Sequence, residues 1–422
     1  MTESVTDQEE WRPSRDTRTK RVLVLGDIFT NAISEFQTSS FRFKEAEALS
    51  KAGLAIVAVS PFGRHVGSAL RDFAANLRPT KSDVNNVYCL FPPNIRAPLI
   101  GSALSFILAI PFLIVLRIFF SPDAIYATSI QLGAIGAIVK PVYGSKLIVN
   151  YGDPEFERVK GIKRGLLTVS EALALTPRRT DCLIYLDEGI KAYVAKKFTP
   201  IPSFFLPPAG YDPGDPPEPD RAEVENLRGR LGLAGCFTAV YAGQLTGHPY
   251  RLDVLPEAAK ELVRRGLRMK FLIVGSGPYS VDLRKRIQTD HLEGEFLFTG
   301  AVSPRLVAKY LALGNLGLQL LDDMCMGTKV ITYMLHRLPV ISTGKWYSMY
   351  TSEGNSALRN GENCLLLPPD PNKLADAIAR LHDSPEESRR IAVEGYEAVR
   401  KYTWRYHAER ILRACEEVRD TS

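Results

Sequence analysis

Paired cysteines, clustered histidines and long runs of one charge are all missing from this 422-residue chain. The six cysteines (Cys89, Cys182, Cys236, Cys325, Cys364 and Cys415) lie far apart, with no CxxC pair and no nearby histidine at ligand spacing. That argues against a zinc module or a disulfide framework and points to reduced thiols in a cytoplasmic compartment. No Lys/Arg block interleaved with aromatics occurs, so nucleic acid is not an expected partner. The first residues, MTESVTDQEEWRPSRDTRTK, lack the apolar stretch of a signal peptide, and residues 1–20 are expected to be a flexible tail. There is no Asp-x-Asp loop after a strand, so neither a metal nor a cofactor is expected. What remains is an ordinary globular composition, 45% hydrophobic and 24% charged, with a net charge of +6. That mild basicity suits an anionic surface or a phosphorylated ligand.

A chain of this length exceeds one ordinary core, and its pattern divides in two. RVLVLGD, LAIVAVSP, DAIYATS and KLIVNYGD are short apolar runs of the kind that form buried parallel strands. Helical stretches lie between them, including FRFKEAEALSKAG and QLGAIGAIVKPVYG. The alternation continues through TDCLIYLDEGIKAYVAKKF and breaks at LPPAGYDPGDPPEPDR, whose prolines and glycines rule out a regular element. It restarts with FTAVYAGQL, RLDVLPEAAKELVRRG, MKFLIVGSGP and EFLFTGAV. This predicts two doubly wound α/β domains with a ligand cleft between the carboxyl ends of their sheets. The boundaries are 21–206 for the N-terminal domain, 207–221 for a linker, 222–394 for the C-terminal domain and 395–422 for closing helices.

Residues 97–120, APLIGSALSFILAIPFLIVLRIFF, carry no charge before Arg117 and approach bilayer-spanning length. A single crossing would put strands of one sheet on opposite sides of a membrane, and Pro111 would disturb a continuous span. The segment therefore reads as a helix, or a kinked pair, lying on one leaflet, with a buried helix as the plain alternative.

Several positions carry the chemistry of anion binding. Gly275 and Gly277 close a strand and open a helix, where backbone amides and the helix dipole favour negative charge. Gly243 ends another strand before a polar loop with Gln244, His248 and Arg251. Gly327, Thr328 and Lys329 open a further helix, aligning a cation with a dipole.

Together these segments resemble the GT-B glycosyltransferases often called group 1 or family 4. The resemblance rests on YAGQL, FLIVGSGP, FTGAVSPRLVAKYLALGNLGLQLL, YMLHRLPVIST, LRNGENCLLLPPDPNKLADAIARL and YTW, in that order. It implies two Rossmann-like domains facing across a cleft, the C-terminal one holding a nucleotide-diphosphate sugar and the N-terminal one an acceptor. It also implies a last helix that returns to brace the N-terminal domain. The implied donor contacts fall at Gly243, Gln244, His248, Gly275, Gly277, Val302, Asp323, Gly327, Thr328, Thr332 and Tyr333, with Lys329 and Arg251 serving the leaving diphosphate. Four family residues are replaced. Gln244 and Pro249 stand where an arginine and a lysine neutralise the diphosphate, and Met324 and Thr332 stand where two glutamates are usual. Thr332 in place of a ribose-binding carboxylate forgoes roughly 1.5–3 kcal/mol of charged hydrogen bonding.

On the acceptor side, LIVNYGDPEFERVKGIKRG offers Asp153 as a base, with Glu155, Lys160, Lys163 and Arg164 for an acceptor and its phosphate. The expectation is a metal-independent, retaining glycosyltransferase, peripheral to the cytoplasmic membrane face, that uses a lipid-linked or glycolipid acceptor. A non-catalytic relative binding a sugar nucleotide or a partner enzyme is the alternative. A sugar-nucleotide epimerase is disfavoured, having no use for a leaflet-binding helix.

Overall fold

The computed structural model describes residues 21–26, 40–59, 80–81, 87–90, 101–152, 155–186, 188–213, 218–322, 327–344 and 358–417. In the N-terminal half, β1 (Arg21–Leu25), β2 (Ala55–Val59), β3 (Thr80–Lys81), β4 (Val87–Leu90), β5 (Ala124–Ala127), β6 (Lys146–Tyr151), β7 (Cys182–Tyr185) and β8 (Ser203–Phe205) form one sheet. Its order is β3-β4-β2-β1-β5-β6-β7-β8, parallel except for β3 against β4. Helices α1 (Ser40–Lys51), α2 (Gly101–Phe119), α3 (Ile130–Tyr143), α4 (Glu155–Arg158), α5 (Ile162–Ala174) and α6 (Glu188–Lys197) connect the strands.

Alternate strand residues serve two separate cores, as a sheet covered on both faces requires. Leu23, Leu25, Ile125, Leu147 and Val149 pack with Leu113 of α2, Ile135 of α3 and Leu167 of α5. Val22, Val24, Ile56, Tyr126 and Ile148 pack on the other face with Leu49 of α1 and with the C-terminal helix. The start of α3 is set by Ser129, whose hydroxyl accepts the Leu132 N–H at 3.3 Å. Its end is set by Gly144 at φ 66°, the left-handed position that glycine occupies without a Cβ penalty.

The second sheet contains β9 (Phe237–Ala242), β10 (Met269–Val274), β11 (Phe296–Gly300), β12 (Leu316–Gln319), β13 (Val340–Thr343) and β14 (Leu365–Leu367). All its pairings are parallel, in the order β11-β10-β9-β12-β13-β14. Its helices are α7 (Arg221–Arg230), α8 (Leu255–Arg264), α9 (Ser280–Thr289), α10 (Pro304–Leu311), α11 (Thr328–Leu335), α12 (Pro371–Asp383) and α13 (Pro385–Val399). The closing helix, α14 (Trp404–Glu417), crosses back to the first domain. There Lys146 Nζ donates to the carbonyl of Cys415 at 2.6 Å, and His407 lies 3.8 Å from the buried Glu45. The linker runs against the same crossing, with the Tyr211 hydroxyl donating to the Arg400 carbonyl at 2.5 Å.

α13 runs unbroken through residues 394 and 395. α2 is one helix through Pro111, not a kinked pair; Pro111 lies on its exposed side. Leu113 of that helix is fully buried, and its carbonyl accepts the Tyr143 hydroxyl at 2.5 Å. One face of α2 is thus bound to α3 while Ile118 and Phe119 remain 78% and 81% exposed. Among the described residues no helix is long and apolar enough to cross a membrane.

Candidate functional site

The carboxyl ends of β9, β10 and β12 meet the start of α11. Gly243, one residue past β9, has φ 155°, and a Cβ there would lie 2.1 Å from Lys329 Cε. The missing side chain is the space that the Lys329 stem occupies. Gly275 permits a similar approach: a Cβ on it would lie 1.9 Å from the Gly243 carbonyl oxygen. The turn after β10 therefore holds the turn after β9, which the hydrogen bonds confirm. The Gly243 N–H donates to Val274 O at 2.8 Å, Leu245 N–H to Ser276 O at 3.0 Å and Tyr279 N–H to Leu245 O at 2.9 Å. The Gly275 amide is itself spent on Gly300 O at 2.9 Å. In the structure the Gly275–Gly277 turn packs against residues 243–245, with Leu245 O 2.3 Å from where a Gly277 Cβ would stand.

Lys329 comes from the first turn of α11, two residues after Gly327. Its Nζ lies 3.8 Å from the ring centroid of Tyr250 and 4.9 Å from that of Tyr241. It donates to the Tyr241 hydroxyl at 3.3 Å, which in turn donates to Gln244 O at 2.7 Å. Burial, then the neighbouring Tyr333 and Tyr250, push the Tyr241 phenol well above its ordinary range, so that hydroxyl stays neutral. The result is an ammonium group between two aromatic faces at the strand ends, with the helix dipole aligned to the same side.

The loop that carries Tyr250 is tied to β12. Arg251 N–H donates to Leu320 O at 3.2 Å, and Asp322 N–H donates to Pro249 O at 2.9 Å. Arg251 itself forms two bonds of 2.8 Å to Asp253 and lies 3.7 Å from Asp322. The Asp253 carboxylate raises its pKa further, and two acidic neighbours offset the charge expected to face a diphosphate. Gln244 and His248 are exposed in this loop, and Val302 is half-buried beyond β11. The Thr332 hydroxyl donates to the Thr328 carbonyl at 3.2 Å. Tyr333 points away from the strand ends: it is 1% exposed, and its hydroxyl accepts the Ala242 N–H at 2.8 Å. It shapes the site by holding the last residue of β9. Asp323 lies outside the described residues. A cavity of about 570 Å³, lined by Arg337, His382 and Arg389 among others, opens at the amino ends of these strands, the opposite edge of the sheet.

In the first domain, β6 ends at Tyr151 and leads to α4. Asp153 lies outside the described residues. The Glu155 carboxylate accepts Gln131 Nε2 from the first turn of α3. Arg164 is committed to the fold, donating to Phe156 O at 2.8 Å and to the Tyr193 hydroxyl at 3.3 Å, while Lys160 and Lys163 are exposed.

Behind this loop stands Glu171, which sequence reasoning missed. It is 0% exposed and accepts the Tyr151 hydroxyl at 2.6 Å, the Tyr193 hydroxyl at 2.9 Å and Lys197 Nζ at 3.1 Å. Phe156 stacks on Tyr193 at 3.7 Å between centroids, which anchors α4 to the network. Burial first, and then Glu171, keep the Tyr151 phenol protonated far beyond its usual range. The signal was a carboxylate on the apolar stripe of α5, one turn after Leu167.

Residues 236–384 match the family described as Glycosyl transferases group 1. Alpha-D-kanosaminyltransferase of Streptomyces kanamyceticus is 30% identical over 176 residues, 42% of this chain and 43% of that protein. Alpha-monoglucosyldiacylglycerol synthase of Streptococcus pneumoniae is 21% identical over 167 residues, 37% of this chain and 38% of that protein. The chain thus spans less than half the length of these curated relatives. Over the whole length the likeness is structural. HepE of Anabaena, solved in complex with UDP, aligns over 94% of this chain and 100% of its own at TM-score 0.67 and 15% identity. Sucrose-phosphate synthase of Thermosynechococcus elongatus aligns over 96% and 100% at TM-score 0.72 and 16% identity.

Proposed function

We propose that this chain, whose residues 236–384 match the group 1 glycosyl transferases and whose two domains have the GT-B fold, transfers a sugar from a nucleotide-diphosphate donor to an acceptor hydroxyl. The carrying observation is the placement of Lys329 at the carboxyl ends of β9 and β12, with its stem over Gly243 and its ammonium against Tyr250. In the transfer, the bond from the anomeric carbon to the diphosphate breaks and its electron pair leaves with the diphosphate oxygen. The acceptor oxygen bonds to that carbon and releases its proton. Lys329 and the start of α11 stabilise the departing charge, the service a cationic, preorganised site gives best. That HepE, on the same fold, was solved in complex with UDP supports a uridine or related nucleotide as the first candidate.

The acceptor is assigned to the N-terminal domain, where the loop after β6 is held by Glu155, Phe156 and Arg164. The exposed apolar side of α2 and the diacylglycerol-linked name of one relative support a lipid-linked or glycolipid acceptor at a membrane face. The location proposed with it is the cytoplasmic membrane face. Retention of anomeric configuration and independence from metal belong to the same proposal and rest on the family likeness.

One observation favours a second reading, a relative that binds a sugar nucleotide without turning it over. Arg251 is turned onto Asp253, and Thr332 bonds its own helix where a carboxylate is usual in the family. Thermal shift with a panel of nucleoside diphosphates and their sugars tests for donor binding. Stabilisation by at least one of them is expected, and none at all would sink the proposal. Release of free diphosphate on addition of acceptor lipids then separates the two readings.

A further inference from the structure

We infer that α2, α3 and α5 together form a docking face for a bilayer bearing anionic lipid. This rests on the membrane-face part of the reading above and adds two helices and a lipid class to it. The three helices form one layer: α2 packs on α3, and α3 on α5, all against the core that Leu23 and Leu147 share.

Ten of the fourteen large hydrophobic side chains exposed among the described residues lie on this one layer. On α5 they are Ile162, Leu166 and Val169, one face at spacings of four and three, with Ile162 85% exposed. Leu167 and Glu171 take the inward face, and among the described residues nothing covers this stripe. On α3 they are Ile138 and Val142, and α2 adds Ile118 and Phe119. Monomeric proteins rarely leave contiguous apolar area of this kind uncovered.

Charge selects the occupant. α2, α3 and α5 carry Arg117, Lys140, Lys163 and Arg164, of which Lys140 is paired with Asp181, and the only carboxylate in their own sequences is Glu171, which is wholly buried. Exposed Lys160 and Lys163 flank the stripe at the start of α5, and exposed Arg178 and Arg179 follow its end, where Arg179 reaches Ala137 O at 3.1 Å. A basic rim around aliphatic side chains matches an anionic headgroup layer above acyl chains. A second copy docking through the same face would bring like charges together about a two-fold axis. The amino end of α5 follows the β6 loop assigned to the acceptor, so this face is continuous with that side of the domain.

Flotation on a density gradient tests this with the full chain. One arm uses vesicles of phosphatidylcholine alone and the other phosphatidylcholine mixed with phosphatidylglycerol. The protein is expected to float with the mixed vesicles and to lose binding in high salt. Ile162→Asp with Leu166→Asp, both at exposed positions, should reduce the bound fraction on the order of tenfold. Val281→Asp, exposed on α9, should float as the wild type does. The inference is overturned by absence of flotation with either vesicle, by a double variant that floats unchanged, or by sedimentation showing that the double change dissolves a dimer in lipid-free buffer. Lys329→Ala should still float, so failure of the transfer reading and failure of this one remain distinct.

Discussion

Lys329 Nζ lies 3.8 Å from the ring centroid of Tyr250, across the gap left by the absent side chain at Gly243. The lysine belongs to α11 and the tyrosine to the loop after β9, so this contact joins two elements at the strand ends. Loops that meet a ligand are seldom rigid without such a tie, and here the tie is itself the cation.

Gly243→Ala should break that arrangement. At φ 155° and with Lys329 Cε 2.1 Å from the new Cβ, backbone and lysine must both move. A loss on the order of 1–3 kcal/mol in urea unfolding is expected, together with loss of any nucleotide-dependent thermal shift. An alanine variant with unchanged stability would show that the lysine stem is not lodged there.

Glu171→Ala should destabilise the first domain by about 2–4 kcal/mol, because it leaves the Tyr151 and Tyr193 hydroxyls without their shared acceptor. Glu171→Gln keeps one acceptor oxygen and should cost less. Denaturant midpoints for the pair, at equal slope, decide the matter.

Neither Glu171 nor the inward turn of Tyr333 was legible in the sequence, for a common reason. Periodicity assigns a residue to a helix face but not to what packs on that face. Tyr333 stood among the donor contacts that the family likeness implied, yet its hydroxyl is needed by the Ala242 N–H at the end of β9. Arg251 was assigned to the leaving diphosphate, but a 3-10 turn at Leu252–Val254 brings Asp253 alongside it. By contrast, the two parallel sheets and their alternation with helices were open to reading from the apolar runs, since strands covered on both faces have to be apolar throughout.

Alkaline pH should unfold the protein. Burial pushes the phenols of Tyr143 and Tyr402 up to about 12, and those of Tyr151, Tyr241 and Tyr333 higher still. With folded values above the unfolded value near 10, the folded state holds protons that the unfolded state releases. Their stabilisation is complete below about pH 10 and falls as pH rises through the folded values. Of the seventeen tyrosines, the share of tyrosinate absorbance at 295 nm that belongs to these five should appear only with loss of far-ultraviolet helix signal; ionisation of all seventeen before unfolding would contradict the burial assigned to them.

Leu113 and Ile114 are neighbours on α2 with opposite roles. Leu113 is fully buried while Ile114 is 44% exposed. Leu113→Asp should cost on the order of 4 kcal/mol or more, as an unpaired carboxylate enters the core. Ile114→Asp should leave the thermal midpoint within a few degrees. Equal melting of the two variants would mean the helix is rotated from the orientation described.

The most direct measurement is titration calorimetry of UDP, and of the best-stabilising diphosphate from the panel, into the wild type and Lys329→Ala. Loss of a charge-assisted phosphate contact predicts an affinity weaker by roughly 10- to 100-fold in the variant, with the fold intact by circular dichroism. An unchanged dissociation constant would place the diphosphate elsewhere and contradict the account.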